Sequence, residues 1–147
     1  MNEPVVLEDI AGQAMFVKDA MGWRESGEWP SAILIHGPPG TGKSTAMRVI
    51  FREMLGDFHD PVNYIIFNIR NRLKTISSVK ALGVQRRGIG SDEADGLTPA
   101  AQDALRGIME EFADNNLYIF TANDLSKIRP AIRSRCLVYE FKPLKPN

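Results

Sequence analysis

The clearest hydrophobic pattern in the chain is a short apolar run followed by glycines and then by an amphipathic segment. The run is Ala-Ile-Leu-Ile-His at 32–36, and continuous runs of this length are typical of strands buried on both faces of a parallel sheet. Four apolar residues beyond the glycines share one helical face: Met47, Ile50, Phe51 and Met54. Gly56 is suited to end that helix. The pattern predicts a strand, a loop and a helix in this order.

Strands and helices alternate along the rest of the chain. The predicted elements are helices at 13–23, 70–82 and 98–113, and strands at 64–67, directly before Asp92, at 117–121 and at 137–141. Thr98 can cap the third of these helices, with Pro99 in its first turn. Its predicted buried stripe is Leu105, Ile108, Met109 and Phe112. Alternation of this kind predicts an α/β fold of three layers, with a parallel sheet between helices and the ligand at the carboxyl ends of the strands.

Composition indicates one domain, residues 1–147, in an intracellular protein that is cytoplasmic, or nuclear if eukaryotic. No apolar run reaches the length of a membrane span, and no basic segment followed by an apolar stretch opens the chain. A single cysteine, Cys136, cannot form an internal disulfide and suits a reducing compartment. We therefore expect no membrane partner.

The charges are unevenly spread although the formal net charge is zero. Residues 61–91 contain no aspartate or glutamate, and they carry Arg70, Arg72, Lys74, Lys80, Arg86 and Arg87. A basic segment of this kind can bind nucleic acid. It can equally be the solvated face of a helix, and on charge alone the second interpretation is favoured.

The glycine-rich stretch at 37–44, Gly-Pro-Pro-Gly-Thr-Gly-Lys-Ser, fits the phosphate-binding pattern G-x-x-x-x-G-K-[ST] at every fixed position. Glycines let the backbone wrap closely around an anion, and the helix N-terminus adds its N–H groups. Lys43 would bridge the terminal phosphates, and Ser44 would hold Mg²⁺ through its hydroxyl. The predicted nucleotide-binding residues are Gly37, Pro38, Pro39, Gly40, Thr41, Gly42, Lys43, Ser44 and Thr45.

Three further segments carry residues suited to phosphoryl transfer. Asp92 and Glu93 follow a predicted strand, where Asp92 would organise the Mg²⁺ shell and Glu93 would orient the attacking water. Asn123 follows the strand at 117–121 and could hold the water or the γ-phosphate, although a turn asparagine explains it equally well. Arg135 could be a finger that stabilises phosphoryl charge in a neighbour's site, although an arginine there is usually a surface residue.

These motifs together resemble the ATPase core of the AAA+ superfamily, and most closely the small subunits of the clamp loader replication factor C. The matching segments are Leu-Glu-Asp-Ile-Ala-Gly-Gln at 7–13, the stretch 37–45, Asp-Glu-Ala-Asp-Gly-Leu-Thr at 92–98, Ala-Gln-Asp-Ala-Leu-Arg at 101–106, Thr-Ala-Asn at 121–123, Lys-Ile at 127–128 and Ser-Arg-Cys at 134–136. The resemblance spans nearly the whole chain.

The resemblance implies a five-stranded sheet of order 5-1-4-3-2, with ATP and Mg²⁺ as cofactors. It implies that Asn123 is a sensor in the site and that Arg135 acts as a finger in trans. It places Val6, Ile10, Ala11 and Gly12 near the adenine. It further implies other AAA+ clamp-loader subunits, a sliding clamp and primer–template DNA as partners. The function to be expected is ATP binding and hydrolysis in a clamp-loader complex in DNA replication.

Four departures from the family pattern limit what the resemblance implies and leave open an alternative, a truncated or degenerate module that binds nucleotide, DNA or partner ATPases without efficient turnover. The helical lid and collar would begin where this chain ends, and the Asp-Glu-Arg-Gly loop after the second strand looks missing. The strand before Asp92 reads Gly-Ile-Gly-Ser at 88–91, and Gly107 replaces a usual arginine. Another AAA+ activity, such as branch migration or helicase loading, is a third possibility.

Overall fold

The computed structural model of the protein describes residues 6–56, 64–66 and 87–144. Its helices are α1 (Ala14–Ser26), α2 (Lys43–Leu55), α3 (Pro99–Glu111) and the short α4 (Pro130–Arg133). Its strands are β1 (Ala32–His36), β2 (Tyr64–Ile66), β3 (Arg87–Ser91), β4 (Asn116–Ala122) and β5 (Leu137–Glu140). Short 3₁₀ turns lie at Leu7–Asp9, Ala94–Gly96 and Leu125–Lys127. The predicted helix at 70–82 lies outside the described residues.

The strands form one parallel sheet in the order β2-β3-β4-β1-β5. This is the predicted order 5-1-4-3-2 read from the other edge. Ile33 of β1 pairs with Ile119 of β4 on one side and with Leu137 of β5 on the other. Because all strands run the same way, the segments that follow β1, β3 and β4 meet at one edge of the sheet.

The core consists of two apolar clusters, one on each face of the sheet. The first lies beneath α1 and α2 and includes Phe16, Met47, Ile50, Phe51 and Phe141. The second lies beneath α3 and includes Leu34, Leu105, Met109, Tyr118 and Phe120. The fold is therefore the predicted three-layer α/β/α sandwich. No helix in the described ranges is both long and apolar enough to span a membrane.

The helix boundaries follow the capping residues. Thr98 caps α3 as predicted, because its Oγ1 accepts a hydrogen bond from the Ala101 N–H at 3.1 Å. The α1 helix runs past the predicted end at Trp23 and stops at Gly27, whose left-handed φ of 75° lets its N–H donate to the Trp23 carbonyl.

The strand before Asp92 forms despite its two glycines, and all five of its residues are buried. A Cβ atom at Gly88 would lie 2.5 Å from Cδ1 of Phe51. The Phe51 ring of α2 thus occupies the space that a side chain at position 88 would fill, so the apolar burial expected of this strand is supplied by a neighbouring helix. Arg87 is also buried, and it therefore does not belong to a solvent-facing basic surface.

Candidate nucleotide site

The glycine-rich loop connects β1 to α2 as predicted and is held by backbone contacts. The Gly37 N–H donates to the Ala122 carbonyl at 3.1 Å. Gly37 has a φ of 148°, and a Cβ there would lie 2.2 Å from the Phe141 carbonyl oxygen. Position 37 therefore excludes every residue except glycine. Gly42, with φ 86°, turns the chain into α2, which begins at Lys43.

Lys43 is tied to the loop that precedes it. Its side-chain ammonium donates to the Gly37 and Pro38 carbonyls at 2.7 and 2.8 Å, and the residue is 8% exposed. Burial lowers the pKa of Lys43, and the nearby carboxylates of Asp95, Asp92 and Glu93 oppose that shift. The ammonium thus lies at the base of the loop, and Lys43 lines the same cavity as Gly40 and Gly42.

Asp92 receives hydrogen bonds from two different elements. Its Oδ1 accepts from Ser44 Oγ of α2 at 2.7 Å and from Thr121 Oγ1 of β4 at 2.6 Å. Ser44 and Asp92, which come from segments far apart in the chain, therefore meet at one point. Thr121, which the sequence patterns do not predict as a site residue, joins them there.

Glu93 is exposed and adopts the left-handed conformation, with φ 53°. It is the one non-glycine residue with positive φ in the described ranges. Its N–H donates to Thr121 Oγ1 at 3.0 Å. A strained backbone at an acidic residue beside a phosphate loop is the kind of feature that clusters at functional sites.

These segments enclose a cavity of about 270 Å³ at the carboxyl edge of the sheet. It is lined by Pro39, Gly40, Gly42, Lys43, Ser44, Thr45, Glu93, Thr121 and Asn123. The Asn123 and Asp124 N–H groups both donate to Asp95 Oδ2, at 3.2 and 3.1 Å, which fixes the turn that carries Asn123. The structure therefore brings together the predicted loop, Glu93 and Asn123.

The residues predicted near the adenine do not line this cavity. Ile10 and Gly12 instead line a separate groove of about 610 Å³ along α1, while Val6 and Ala11 are exposed. The side-chain amide of Gln13 clamps the chain here, donating to the Lys142 carbonyl at 2.8 Å and accepting from the Lys142 N–H at 3.2 Å. These two hydrogen bonds join the segment before α1 to the segment that follows β5.

Arg135 lies at the opposite end of the sheet from the phosphate loop. It precedes β5, which runs parallel to β1, and it borders a cavity of about 180 Å³ together with Ser31, Ala32 and Tyr118. The five residues of β1 separate that end from the loop by roughly 16 Å, at about 3.3 Å per residue. Its guanidinium donates to the Ala131 carbonyl at 3.0 Å and pairs with Glu110. Arg135 therefore does not join the other predicted catalytic residues within the chain.

The oxygen atoms at the cavity suit a magnesium nucleotide. Ser44 Oγ and Asp92 Oδ1 lie 2.7 Å apart beside the loop. Among the described residues no group of three or more His, Cys, Asp or Glu side chains could hold a metal by itself. Mg²⁺ commonly takes only one or two protein oxygens and completes its shell with phosphate and water. The donor set present here fits that pattern.

The families and proteins that this chain resembles are ones in which a phosphate loop of this kind is expected. The family model described as "ATPase family associated with various cellular activities (AAA)" matches residues 33–144. A replication factor C small subunit from Natronomonas pharaonis is 36% identical over 150 residues, covering 96% of this chain and 46% of the relative. A replication factor C subunit 3 from Blastobotrys adeninivorans is 32% identical over 153 residues, covering 98% and 45%.

Solved structures show the same fold at lower identity. The Thermotoga maritima RuvB Holliday junction branch migration motor superposes with a TM-score of 0.74 at 20% identity, covering 95% of this chain and 48% of that one. The Bacillus subtilis DNA clamp loader delta protein gives a TM-score of 0.66 at 13% identity, covering 86% and 42%.

The phosphate loop, the acidic pair and the sheet order together define an AAA+ P-loop ATPase. The chain belongs to the AAA family of ATPases, and its curated relatives include replication factor C small subunits. It spans about half the length of the curated relatives it matches.

Proposed function

We propose that residues 1–147 form the ATP-binding and hydrolysing core of a subunit in a clamp-loader-like complex of DNA replication. The observation that carries the proposal is the meeting of Ser44 and Asp92 beside the phosphate loop, with Glu93 at the rim of the same cavity. The similarity to replication factor C small subunits supports the clamp-loader assignment over branch migration. The intracellular location expected from the sequence, in the cytoplasm or a eukaryotic nucleus, belongs to the same proposal.

Each residue of the cavity has a separate task in this proposal. The loop N–H groups and the Lys43 ammonium bind the β- and γ-phosphates, and Ser44 and Asp92 hold Mg²⁺. Bound Mg²⁺ supplies positive charge that offsets the charge developing on the phosphate oxygens. Glu93 orients the attacking water, and Asn123 lies where it can contact that water or the γ-phosphate. The groove lined by Ile10 and Gly12 is the candidate for the base, and Val6 and Ala11, which are close to them in sequence, are proposed to contribute to it.

Arg135 is proposed to act on the nucleotide of a neighbouring subunit. Its position at the far end of the sheet from Lys43 supports this, since the two residues of one chain cannot meet at one phosphate. The proposal implies an oligomer with other AAA+ subunits. A sliding clamp and primer–template DNA are the proposed partners, from the similarity to replication factor C.

The test is the affinity for ATP with Mg²⁺, measured by calorimetry on Lys43→Ala and on the control Lys127→Ala. We expect Lys43→Ala to lose detectable binding, because the variant removes the cation that meets the phosphates. Lys127 is an exposed lysine that does not line the cavity, and its loss should leave the affinity unchanged. Wild-type affinity in Lys43→Ala, with the fold intact by circular dichroism, would refute the phosphate-loop assignment.

The second candidate function is nucleotide binding without efficient turnover. The separation of Arg135 from the cavity favours it for the isolated chain, which cannot supply a finger to its own site. Steady-state ATP hydrolysis, measured with and without primed DNA alongside the mass of the assembly, separates the two functions. Turnover that appears only in an oligomer supports the first.

A further inference from the structure

Thr121 lies near the end of β4, and its hydroxyl sits between the two acidic residues of the site. The residue is 2% exposed. Its Oγ1 lies 2.6 Å from Asp92 Oδ1 and 3.0 Å from the Glu93 nitrogen. A hydroxyl has one proton, and the Glu93 N–H must donate. The directions of both bonds are therefore fixed: the threonine proton points to the carboxylate, and a threonine lone pair receives the amide.

Each of these two bonds constrains a different part of the site. Asp92 Oδ1 also accepts from Ser44 Oγ, so the carboxylate is held by one hydroxyl from α2 and one from β4. The bond from Glu93 fixes a residue whose left-handed backbone is unfavourable for a side chain of its kind. The Thr121 side chain thus orients both the Asp92 carboxylate, which is proposed to hold Mg²⁺, and the backbone of Glu93.

We propose that Thr121 is a positioning residue of the phosphate site, which aligns Asp92 and Glu93 through a single hydroxyl. The effect on nucleotide depends on the proposed ATPase function, whereas the two hydrogen bonds are properties of the chain itself. A threonine needed only to fill space in β4 would be replaced without effect by valine, which has nearly the same shape. The hydroxyl is therefore the feature to remove.

The experiment compares Thr121→Val with Thr121→Ser, which keeps the hydroxyl, and with Thr98→Ala. The last variant removes a different threonine hydrogen bond, at the α3 cap, and leaves Asp92 and Glu93 untouched. The first readout is the hydrogen-exchange rate of the Glu93 amide, measured by NMR without nucleotide. We expect exchange at least ten times faster in Thr121→Val, and near the wild-type rate in the serine and Thr98→Ala variants.

The second readout is the affinity for ATP with Mg²⁺ and with EDTA, measured by calorimetry. In Thr121→Val, the ratio of the ATP affinity with Mg²⁺ to the ATP affinity with EDTA should be at least three times smaller than in the wild type. The affinity in EDTA should be unchanged, because only the metal-facing carboxylate is disturbed. Thr121→Ser should keep the gain. Where turnover is measurable, kcat should fall in the valine variant with little change in KM.

Wild-type exchange at Glu93 and a full Mg²⁺ gain in Thr121→Val would overturn the inference. Should the valine variant not fold, Thr121→Ser and Thr121→Ala form a second pair that differ only by the hydroxyl, and equal exchange rates in that pair would overturn it as well. Failure of the ATPase proposal has a different signature, which is unchanged ATP binding in Lys43→Ala. In that case the exchange rate of the Glu93 amide, which is measured without nucleotide, still tests the positioning role of Thr121.

Discussion

Among single residues, the charge state of Lys43 gives the site a testable pH dependence. A lysine whose pKa is lowered by burial loses its proton at a lower pH than the ordinary value of 10.5. The ammonium binds phosphate and the neutral amine does not. ATP affinity should therefore be full below the lowered pKa and should fall as pH rises through it. The decline should begin below the pH at which an exposed lysine titrates.

Calorimetry between about pH 7.5 and 10.5 checks this prediction, with Lys43→Arg as the control. The guanidinium stays protonated across that range, so the affinity of the arginine variant, although lower at neutral pH, should be flat where that of the wild type declines. Parallel curves for the two proteins would assign the pH dependence to some other group.

The pKa of Cys136 is also shifted by burial, although no function is proposed for this residue. Burial raises the pKa of its thiol to about 12, which keeps the sulfur protonated and unreactive at neutral pH. Labelling by iodoacetamide at pH 7.5 should therefore be slow in the folded protein and fast in denaturant. Rapid labelling of the folded chain would contradict the raised pKa of this partly buried thiol.

Site residues could be predicted from the sequence where a residue type is unusual in its surroundings, as Lys43 and the acidic pair are. A lysine after three spaced glycines and two prolines, or an acidic pair between a phosphate loop and a capped helix, has few structural explanations. Thr121 was missed as a site residue because threonine is a common strand residue, and its role depends on Asp92, which is distant in the chain. Its position two residues before Asn123, in an otherwise apolar run, is the one local hint.

Between elements, the packing of α2 on β3 explains the glycine at position 88. Gly88→Ala would place a Cβ 2.5 Å from the ring of Phe51, and overpacking of this kind costs about 1–3 kcal/mol. We expect a loss of that size in the free energy of unfolding, measured by urea denaturation. Phe51→Leu should recover part of the loss when combined with Gly88→Ala, because a smaller side chain frees the space.

Gly107→Ala is the matched control for that experiment. Gly107 lies inside α3, and a Cβ there would meet nothing within 4 Å. The same substitution should therefore stabilise the protein by about 0.5–1 kcal/mol through helix propensity. A loss of stability at Gly107, or none at Gly88, would contradict this account of the packing.

No local pattern predicts that the Phe51 ring of α2 fills the space above Gly88 in β3. Taken by itself, a strand with two glycines predicts weak packing, which is why residues 88–91 suggest a degenerate module. The structure shows a complete and buried strand, because the missing volume comes from Phe51, a residue far away in sequence. Strand order, by contrast, followed from the family resemblance, and helix ends followed from local capping residues.

For the molecule as a whole, the first question is whether the basic segment contacts DNA. Arg70, Lys74 and Arg86 lie outside the described residues, so their role stays a prediction. Replacing each by glutamine should weaken binding to DNA of any sequence and should reduce the salt dependence, which is about 0.9 logarithmic units per phosphate contact for duplex DNA. Arg52→Gln, on the exposed side of α2, is the control. Unchanged affinity and slope in all three variants would favour the solvated-face interpretation.

The second question is whether one active site is shared between two chains. Because Arg135 and the phosphate cavity lie at opposite ends of the sheet, Arg135→Ala should remove turnover and spare ATP binding, whereas Lys43→Ala should lose both. A finger contributes about 10³–10⁵ in rate in systems where it has been measured. Lysine at position 135 should not restore that rate, since it lacks the planar fork that contacts two phosphate oxygens.

Mixing Lys43→Ala with Arg135→Ala tests the shared site directly. In a mixed assembly, some sites combine Lys43 of one subunit with Arg135 of its neighbour, and those sites should hydrolyse ATP although each variant alone does not. The measurement is steady-state ATPase activity across mixing ratios, with co-assembly confirmed by native mass spectrometry. An absence of recovery in confirmed mixed assemblies would refute the trans mechanism. Wild-type turnover in Arg135→Ala alone would remove that residue from the site altogether.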